Sequence, residues 1–284
     1  MEQDDDKFIQ EDFSKVVELT SKNHKGLRNR GMIKAVKKRI KKTLLNLFGS
    51  INNDSDMVLL QDKNYGVARV SYSQQGEDLA LQRIFEGVAR GFYVDIGAFH
   101  PKQYSNTLNF YDKGWKGLNV EPNKNNFLHF SAMRPNDINV NCGIGTSQES
   151  MTYYEFSSPE LNTFNQAHKE HWERQQGFNL VGESQVVIQT LKDLLDQNLP
   201  AGTNIDFLTI DVEGQDLDVL KSNDWESYRP RIIVVEESFY ELSSFEGSEI
   251  YKFLKTKRYR LMSITGGSTF YFNEDYNKIN VSRQ

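Results

Sequence analysis

The sequence predicts an α/β fold in which a seven-stranded, mostly parallel sheet is closed by a C-terminal antiparallel hairpin. Helical patterns separate most of the apolar, β-branched runs, and this alternation is typical of parallel sheets with helices on both faces. Only residues 265–268 separate the last two runs, which is short enough for a hairpin. The strands are expected at about residues 92–96, 117–121, 138–142, 205–211, 231–236, 260–264 and 269–272.

Helices are expected around these strands, at about residues 78–89, 123–133 and 216–221. Between the third and fourth strands lie residues 146–204, more than a simple crossover needs. This insertion is expected to contain a polar helix at 166–176, a strand at 186–189 and a helix at 191–198, and to form a wall or lid over a bound ligand.

The N-terminal part differs in composition from the rest. An acidic tail is followed by residues 22–42, which carry ten Lys or Arg and no Asp or Glu. Within residues 32–48, apolar residues recur every three or four positions, which predicts a basic amphipathic helix. Such a helix can lie on an anionic membrane or against a partner protein. In the slightly favoured alternative, the apolar side of this helix packs on its own domain or on a second subunit. An oligomer is therefore possible.

The predicted organisation is therefore an N-terminal helical extension over residues 1–50, a linker over 51–70 and one main domain over 71–284. Outside residues 22–42 the chain holds 24 basic and 39 acidic residues, a net charge of −15. This acidic balance argues against general nucleic-acid binding.

The expected compartment is the cytoplasm. A single cysteine, Cys142, excludes a disulfide framework and is typical of a reducing environment. No apolar run reaches the length of a membrane span, and the acidic N-terminus is unlike a signal peptide. The protein is expected to be soluble, or at most peripheral to a membrane.

Two carboxylates end neighbouring predicted strands. Asp95 precedes the Gly97 turn after the first strand, and Glu121 closes the second. Open α/β sheets bind ligands at this edge, and a carboxylate suits a ribose because its oxygens can accept from both hydroxyls. Gly97 has no Cβ to obstruct a tight turn. The pattern predicts a nucleoside-cofactor site, with a purely structural strand and turn as the alternative.

The absence of a glycine-rich phosphate-binding motif limits which cofactors the site could bind. A dinucleotide fingerprint needs G-x-G-x-x-G, but Gly97 is followed by Ala98, Phe99, His100 and Pro101. No G-x-x-x-x-G-K-[ST] phosphate loop occurs either. The site therefore fits S-adenosylmethionine better than NAD.

Several segments carry a family resemblance: residues 72–78, 91–101, 105–107, 110–111, 114–117, 121–123, 161–164 and 210–214. Together they resemble the FkbM family of S-adenosylmethionine-dependent O-methyltransferases over about residues 70–275. The most specific are Ser-Gln-x-Gly-Glu-Asp and Ile-Asp-Val-Glu-Gly. The resemblance implies a Rossmann-like methyltransferase fold and methyl transfer to a hydroxyl. A saccharide or glycan is the expected acceptor.

Asp211 is the first candidate for the general base, because it follows the fourth strand and Gly214 allows a sharp turn behind it. Capping of the next helix is the structural alternative, but Asp211, Glu213 and Asp216 together exceed what capping needs. The same carboxylates could hold Mg²⁺, which is left open. His100 is the alternative base because it can titrate near neutral pH.

The remaining candidates are assigned by position and resemblance. Cys142 and Gly143 are expected to end the third strand against the adenine, with Cys142 as packing rather than as a reactive thiol. Glu77 is expected to edge the pocket, with helix capping as the alternative. The cofactor set is Asp95, Gly97, Ala98, Glu121, Pro122, Cys142, Gly143, Ser105, Asn106, Gln74 and Glu77; Glu236 and Tyr104 are assigned to the acceptor.

Two other classes of function compete with this interpretation. A non-catalytic Rossmann-like scaffold in a membrane-proximal glycan-assembly complex would use the basic N-terminal segment most, but has no need for three acids at one sheet edge. A nicotinamide-dependent reductase is disfavoured by the missing glycines.

Overall fold

The computed structural model describes residues 60–62, 66–237 and 242–276. The acidic tail and the basic helix predicted at 32–48 lie outside these ranges. Within the predicted linker, β1 (Leu60–Asp62) and β2 (Gly66–Ala68) pair as an antiparallel hairpin. This hairpin belongs to a small unit of its own, whereas the described residues from Val70 onward form the larger unit.

The larger unit contains ten further strands. They are β3 (Phe92–Ile96), β4 (Lys116–Val120), β5 (Ile138–Val140), β6 (Gly143–Ile144), β7 (Glu149–Phe156), β8 (Leu180–Gln189), β9 (Phe207–Ile210), β10 (Ile232–Glu236), β11 (Tyr259–Thr265) and β12 (Ser268–Asn273). Seven of them form one sheet in the order β5-β4-β3-β9-β10-β12-β11. The first five are parallel, and β12 runs antiparallel to both of its neighbours. The predicted fold class is confirmed.

The central position of β3 follows from its composition. All five of its residues are buried, as expected for a strand covered on both faces. Its register places Ile96 opposite Val120 of β4 and Ile210 of β9. The carboxyl ends of these three strands therefore meet at the same edge, and Glu121 and Asp211 follow there directly.

Seven α-helices surround the sheet in the described residues. They are α1 (Glu77–Ile84), α2 (Leu108–Asp112), α3 (Lys124–Met133), α4 (Gln166–Glu173), α5 (Leu191–Asn198), α6 (Asp216–Lys221) and α7 (Glu249–Thr256). The helix predicted to reach residue 89 ends at Ile84, before a turn in which Gly87 has a φ of 82°. Helices α2 and α7 were not predicted from the sequence. None of the described helices is both long and apolar enough to span a bilayer.

The core lies on both faces of the sheet. One face carries an aliphatic cluster that includes Val94, Leu118 and Leu208. The other carries an aromatic cluster in which Phe110 lies 4.9 Å from Phe207 between ring centroids. Alternation along each strand sends neighbouring residues to opposite faces, so β3, β9 and β10 each contribute to both clusters.

The insertion builds a second, three-stranded sheet in the order β6-β8-β7. The strand predicted at 138–142 was too long. In the structure β5 ends at Val140, and Gly143 begins β6, which belongs to the second sheet. The strand predicted at 186–189 is longer, β8 starting at Leu180, and its partner β7 was not predicted. The polar helix is confirmed as α4, although it ends at Glu173.

Candidate functional site

One cleft of about 920 Å³, part of it open to solvent, lies at the carboxyl edge of the parallel strands. The lining residues are Gln74, Asp95, Ile96, Gly97, Ala98, Phe99, Tyr104, Asn106, Val120, Glu121, Pro122, Cys142, Gly143, Ile144, Tyr153, Glu160, Phe164, Thr209, Asp211, Val212, Glu213 and Gln215.

Glu121 is fixed at the tip of β4 by two backbone hydrogen bonds. Its Oε2 accepts from Phe99 N at 2.7 Å and its Oε1 from Asn123 N at 2.7 Å. Burial raises the pKa of this carboxyl to about 8, although these hydrogen bonds oppose the shift. Each oxygen can accept a further hydrogen bond, so the oriented carboxylate can still receive both hydroxyls of a ribose.

Gly97 allows two strand ends to approach each other closely. Its φ is +79°, and a Cβ at this position would lie 1.8 Å from the backbone oxygen of Asp211. The N–H groups of Gly97 and Ala98 both donate to Val120 O at 3.0 Å. The turn therefore packs tightly between β4 and β9, and any side chain at position 97 would push Asp211 away.

Asp95 is buried beside the cleft and is reached by a relay of hydrogen bonds from Arg134. The fully buried Arg134 guanidinium donates to Thr107 Oγ1 at 2.7 Å, and Thr107 Oγ1 donates to Asp95 Oδ2 at 2.9 Å. Burial raises the pKa of Asp95 to about 6, with Arg134 and Thr107 opposing the shift. Arg134 also donates to Pro101 O and Ser105 Oγ, so it holds the whole loop that follows Gly97.

Replacing Arg134 is expected to destabilise the domain. Arg134→Met leaves the acceptors of the loop without donors and removes the positive charge near Asp95, so we expect a loss of about 3–5 kcal/mol in the free energy of unfolding. Arg134→Lys should recover only part, because an ammonium cannot reproduce the planar fork. Urea unfolding measures both changes, with exposed Arg83→Met as the control. Equal midpoints for Arg134→Met and the wild type would refute the assigned role.

Three carboxylates converge beyond the ends of β9 and β10. Asp211, Glu213 and Glu236 each offer an oxygen within 4.8 Å of the others. Burial, followed by the nearby charge of Glu236, raises the pKa of Asp211 well above its usual range and that of Glu213 to about 8. Asp216 has a different task, because its carboxylate accepts from Val212 N and Gly214 N and braces the turn. A proton shared within this cluster is the natural consequence of its geometry.

The buried carboxyls make stability depend on pH. Burial raises the pKa of Glu121 and Glu213 to about 8 and that of Asp216 to about 7. A carboxyl with a raised folded pKa binds its proton more tightly when folded, so its stabilising effect is lost as pH rises through that pKa. We expect the melting temperature to fall between pH 6.5 and 8.5.

Thermal unfolding across this pH range tests the expectation. Glu213→Gln should flatten the profile and melt higher than the wild type at pH 8.5, whereas exposed Glu226→Gln should follow the wild type. A wild-type melting temperature that is constant or rises with pH would contradict the assigned shifts.

The insertion supplies one wall of the cleft. Tyr153 and Phe164 lie with ring centroids 4.7 Å apart, and Thr163 pairs with Tyr154 through two backbone hydrogen bonds. Thr163 Oγ1 also lies 3.4 Å from the backbone oxygen of Glu213. The Leu-Asn-Thr-Phe segment therefore joins the insertion to the turn that carries the acidic cluster.

His168 of α4 packs against the same turn. A Cβ at Gly214 would lie 2.6 Å from His168 Cε1, and Gly214 has a φ of +93°. His168 is half-buried against Gly214. This contact adds a second attachment of the insertion to the turn.

Four sequence-predicted site residues do not line the cleft: His100, Ser105, Glu77 and Glu236. His100 Nδ1 accepts from Lys102 N and Gln103 N, so this nitrogen closes its own loop. Ser105 Oγ accepts from Thr107 N and Leu108 N at the start of α2. Glu77 accepts from Gln75 N and Ser268 Oγ. The partners of His100 and Ser105 lie within three residues along the chain, so these side chains stabilise their own loop and helix start, whereas Glu77 also binds the β11–β12 hairpin at Ser268.

The Ser-Gln-x-Gly-Glu-Asp element is a structural brace that presents one residue to the cleft. Asp78 accepts from Ser71, Ser73 and Asn109, and Gln75 Oε1 accepts from Gly267 N in the β11–β12 turn. Only Gln74 of this element reaches the cleft lining. Glu236 is also absent from the lining and contributes through the acidic cluster.

Three residues of the lining have left-handed backbone without being glycine. These are Phe99 with φ 54°, Tyr104 with φ 57° and Glu213 with φ 53°. Such conformations are unfavourable for side chains with a Cβ and concentrate at functional sites. The Phe99 and Tyr104 rings stack with centroids 6.0 Å apart, and Tyr104 is largely exposed. Together they offer an aromatic surface at the cleft.

Sequence reasoning missed part of the site. Tyr153, Glu160, Phe164, Thr209 and Gln215 line the cleft without having been predicted. The Leu-Asn-Thr-Phe resemblance was a usable signal for Phe164, but nothing in the local sequence marks Glu160. Cys142 behaves as predicted packing: it is buried, accepts from Gln189 Nε2, and its thiol pKa is raised by burial.

The residues present suit a nucleoside cofactor better than a metal. An oriented buried carboxylate at β4, a tight glycine turn at β3 and an adjacent apolar recess at Cys142 and Ile144 match the parts of an adenosine. The acidic cluster has the oxygen ligands that Mg²⁺ prefers. Acidic groups of this kind are common without an ion, so the cluster alone assigns no metal.

Comparison with known proteins gives one match. A family model described as the methyltransferase FkbM domain matches residues 95–261, which is more than half of the chain. The matched region begins at Asp95 and includes Glu121, Asp211 and the insertion. No curated protein shows detectable similarity to the chain.

Proposed function

Because the chain belongs to the FkbM family of methyltransferases, we propose that it transfers the methyl group of S-adenosylmethionine to a hydroxyl of a saccharide. The observation that carries this proposal is a single cleft in which an oriented nucleoside-binding carboxylate, Glu121, and the acidic cluster at Asp211 open onto the same space. A cofactor end and a proton-accepting end are both needed for this reaction.

Glu121 and the Gly97 turn form the cofactor end. Glu121 takes the ribose hydroxyls, the backbone at Gly97 and Ala98 approaches the cofactor without obstruction, and Cys142 with Ile144 borders the adenine. Asp95 contributes negative charge below the turn, at a position fixed by Thr107. When bound, S-adenosylmethionine supplies an electrophilic methyl group, so that the protein needs to provide alignment and proton removal.

Asp211 provides proton removal from the acceptor hydroxyl. Its backbone N–H donates to Ile96 O at 3.0 Å, which places the residue directly beside the Gly97 turn. The raised pKa of Asp211 makes its carboxylate a stronger base than an exposed aspartate. Glu236 and Glu213 can share the proton that Asp211 takes, because their oxygens lie within 4.8 Å of it.

The composition of the cleft favours a saccharide. Carboxylates and the amides of Gln74, Asn106 and Gln215 provide many hydrogen-bonding groups for a molecule with several hydroxyls. The Phe99–Tyr104 pair adds a flat apolar surface against which the C–H face of a sugar ring can pack. A purely apolar acceptor would remove water from these polar groups without offering hydrogen bonds in its place.

Calorimetric titration and a transfer assay test this function. We expect S-adenosylmethionine and S-adenosylhomocysteine to bind saturably and NADH not to bind, and mass spectrometry should find a methyl ether on a carbohydrate. Absence of cofactor binding by the folded protein would favour the scaffold alternative. We expect transfer to continue in excess EDTA, whereas loss that Mg²⁺ restores would assign a cation to the acidic cluster.

A further inference from the structure

We propose that the cleft accepts only acceptors without negative charge, neutral or amino sugars rather than uronates, sialic acids or sugar phosphates, and that Glu160 of the insertion enforces this selection. The inference rests on the proposed transferase function and names the acceptor class of the same site. It starts from the charges that surround the acceptor rather than from the chemistry of transfer.

Every charged side chain that lines the cleft is acidic. These residues are Asp95, Glu121, Glu160, Asp211 and Glu213, and no Lys, Arg or His among the described residues joins them in the lining. The buried Arg134 guanidinium is directed to the loop at Pro101–Thr107 and does not line the cleft. The Arg or Lys that phosphate and carboxylate ligands normally require is therefore missing from the described wall.

The acids fall into two groups with different tasks. Asp95 and Glu121 follow β3 and β4 at the cofactor end. Asp211 and Glu213 follow β9, Glu236 ends β10, and Glu160 lines the cleft from a 3₁₀ turn at Pro159–Leu161. Glu160 and Glu213 both line the cleft, and the charge of Glu160 adds to the effects of burial, Glu236 and Asp216 that raise the pKa of Glu213. Proton removal needs only one base. The additional carboxylates therefore select acceptors by charge, because they repel anionic ones.

Electrostatic repulsion gives the expected size of the selection. A negative group held about 5 Å from one carboxylate, at an effective dielectric constant of about 20, is disfavoured roughly 100-fold relative to a neutral group. An ammonium group at the same place is favoured instead. Glu160 is exposed at the wall, so it can be changed without disturbing the packing around the acidic cluster.

The test uses methyl-labelled S-adenosylmethionine and a pool of cellular saccharides separated by charge into an anionic and a non-anionic fraction. At pH 8.5, above the pKa of about 8 assigned to Glu213, the wild type should label the non-anionic fraction. Glu160→Lys should raise the ratio of anionic to non-anionic labelling at least about tenfold, Glu160→Gln less. Exposed Glu183→Gln on β8 is the matched control and should leave the ratio unchanged.

The outcomes separate this inference from the proposed function. Wild-type labelling of the anionic fraction would overturn the inference and leave the transferase standing. An unchanged ratio in Glu160→Lys would remove Glu160 as the determinant. Absence of label in both fractions, with cofactor binding intact by calorimetry, would overturn methyl transfer to saccharides and the inference together.

Discussion

Asp211→Asn is expected to lower the rate of methyl transfer by roughly 10²–10⁴-fold, the usual contribution of a general base. The asparagine keeps the shape of the side chain and the backbone hydrogen bond to Ile96, so the dissociation constant for S-adenosylmethionine should remain nearly unchanged. The variant should also melt at a higher temperature, because an amide removes a carboxyl that Glu236 and Glu213 make difficult to ionise. Single-turnover kinetics, calorimetry and thermal unfolding measure these three quantities.

The combination of slower chemistry and higher stability distinguishes a functional carboxyl from a structural one. A helix cap or turn brace would lose stability on the same substitution. Exposed Asp218→Asn on α6 is the control and should change neither quantity. Retained turnover in Asp211→Asn would remove Asp211 from the base role and direct attention to Glu213.

At pH 8.5, above its pKa of about 8, the Glu121 carboxyl is mostly ionised. Glu121→Ala is then expected to weaken binding of S-adenosylmethionine at least about 100-fold, because two hydrogen bonds to a charged acceptor contribute about 1.5–3 kcal/mol each. Transfer at saturating acceptor should fall accordingly and recover partly at high cofactor concentration. Titration calorimetry gives the change in the dissociation constant. Exposed Glu149→Gln on β7 serves as the control.

The substitution also removes the acceptor of Phe99 N and Asn123 N, so folding has to be measured beside binding. Glu121→Gln keeps one carbonyl oxygen and should give an intermediate affinity. A folded Glu121→Ala protein that binds the cofactor as tightly as the wild type would show that the ribose lies elsewhere in the cleft.

The central sheet was predictable because its strands carry their own signal. Buried parallel strands are short, continuous apolar runs, and β3 and β9 are buried throughout. The helical patterns between these short strands also indicated a parallel arrangement of the sheet. The carboxyl edge follows from this, so Asp95, Glu121 and Asp211 could be placed together before any coordinates were known.

The local roles of polar residues were harder to predict. His100, Ser105 and Glu77 are of the residue types that catalysis and ligand binding use, but their hydrogen bonds go to nearby backbone or to the β11–β12 hairpin. Sequence position placed each near the cleft, and side-chain direction decided its function. A shift of one residue within a loop is enough to turn a polar side chain from the cleft toward the protein interior.

The sequence by itself determined the fold class, the edge at which ligands bind and the family, because each depends on short motifs and on periodicity within single segments. The tertiary structure decided how the insertion contributes, by placing Thr163 beside Glu213, about 50 residues further along the chain, and by bringing Glu160 and Phe164 into the cleft lining. It also decided that Glu236 joins Asp211, since β10 lies beside β9. These contacts depend on packing between distant segments, whose energies no local pattern of residues encodes.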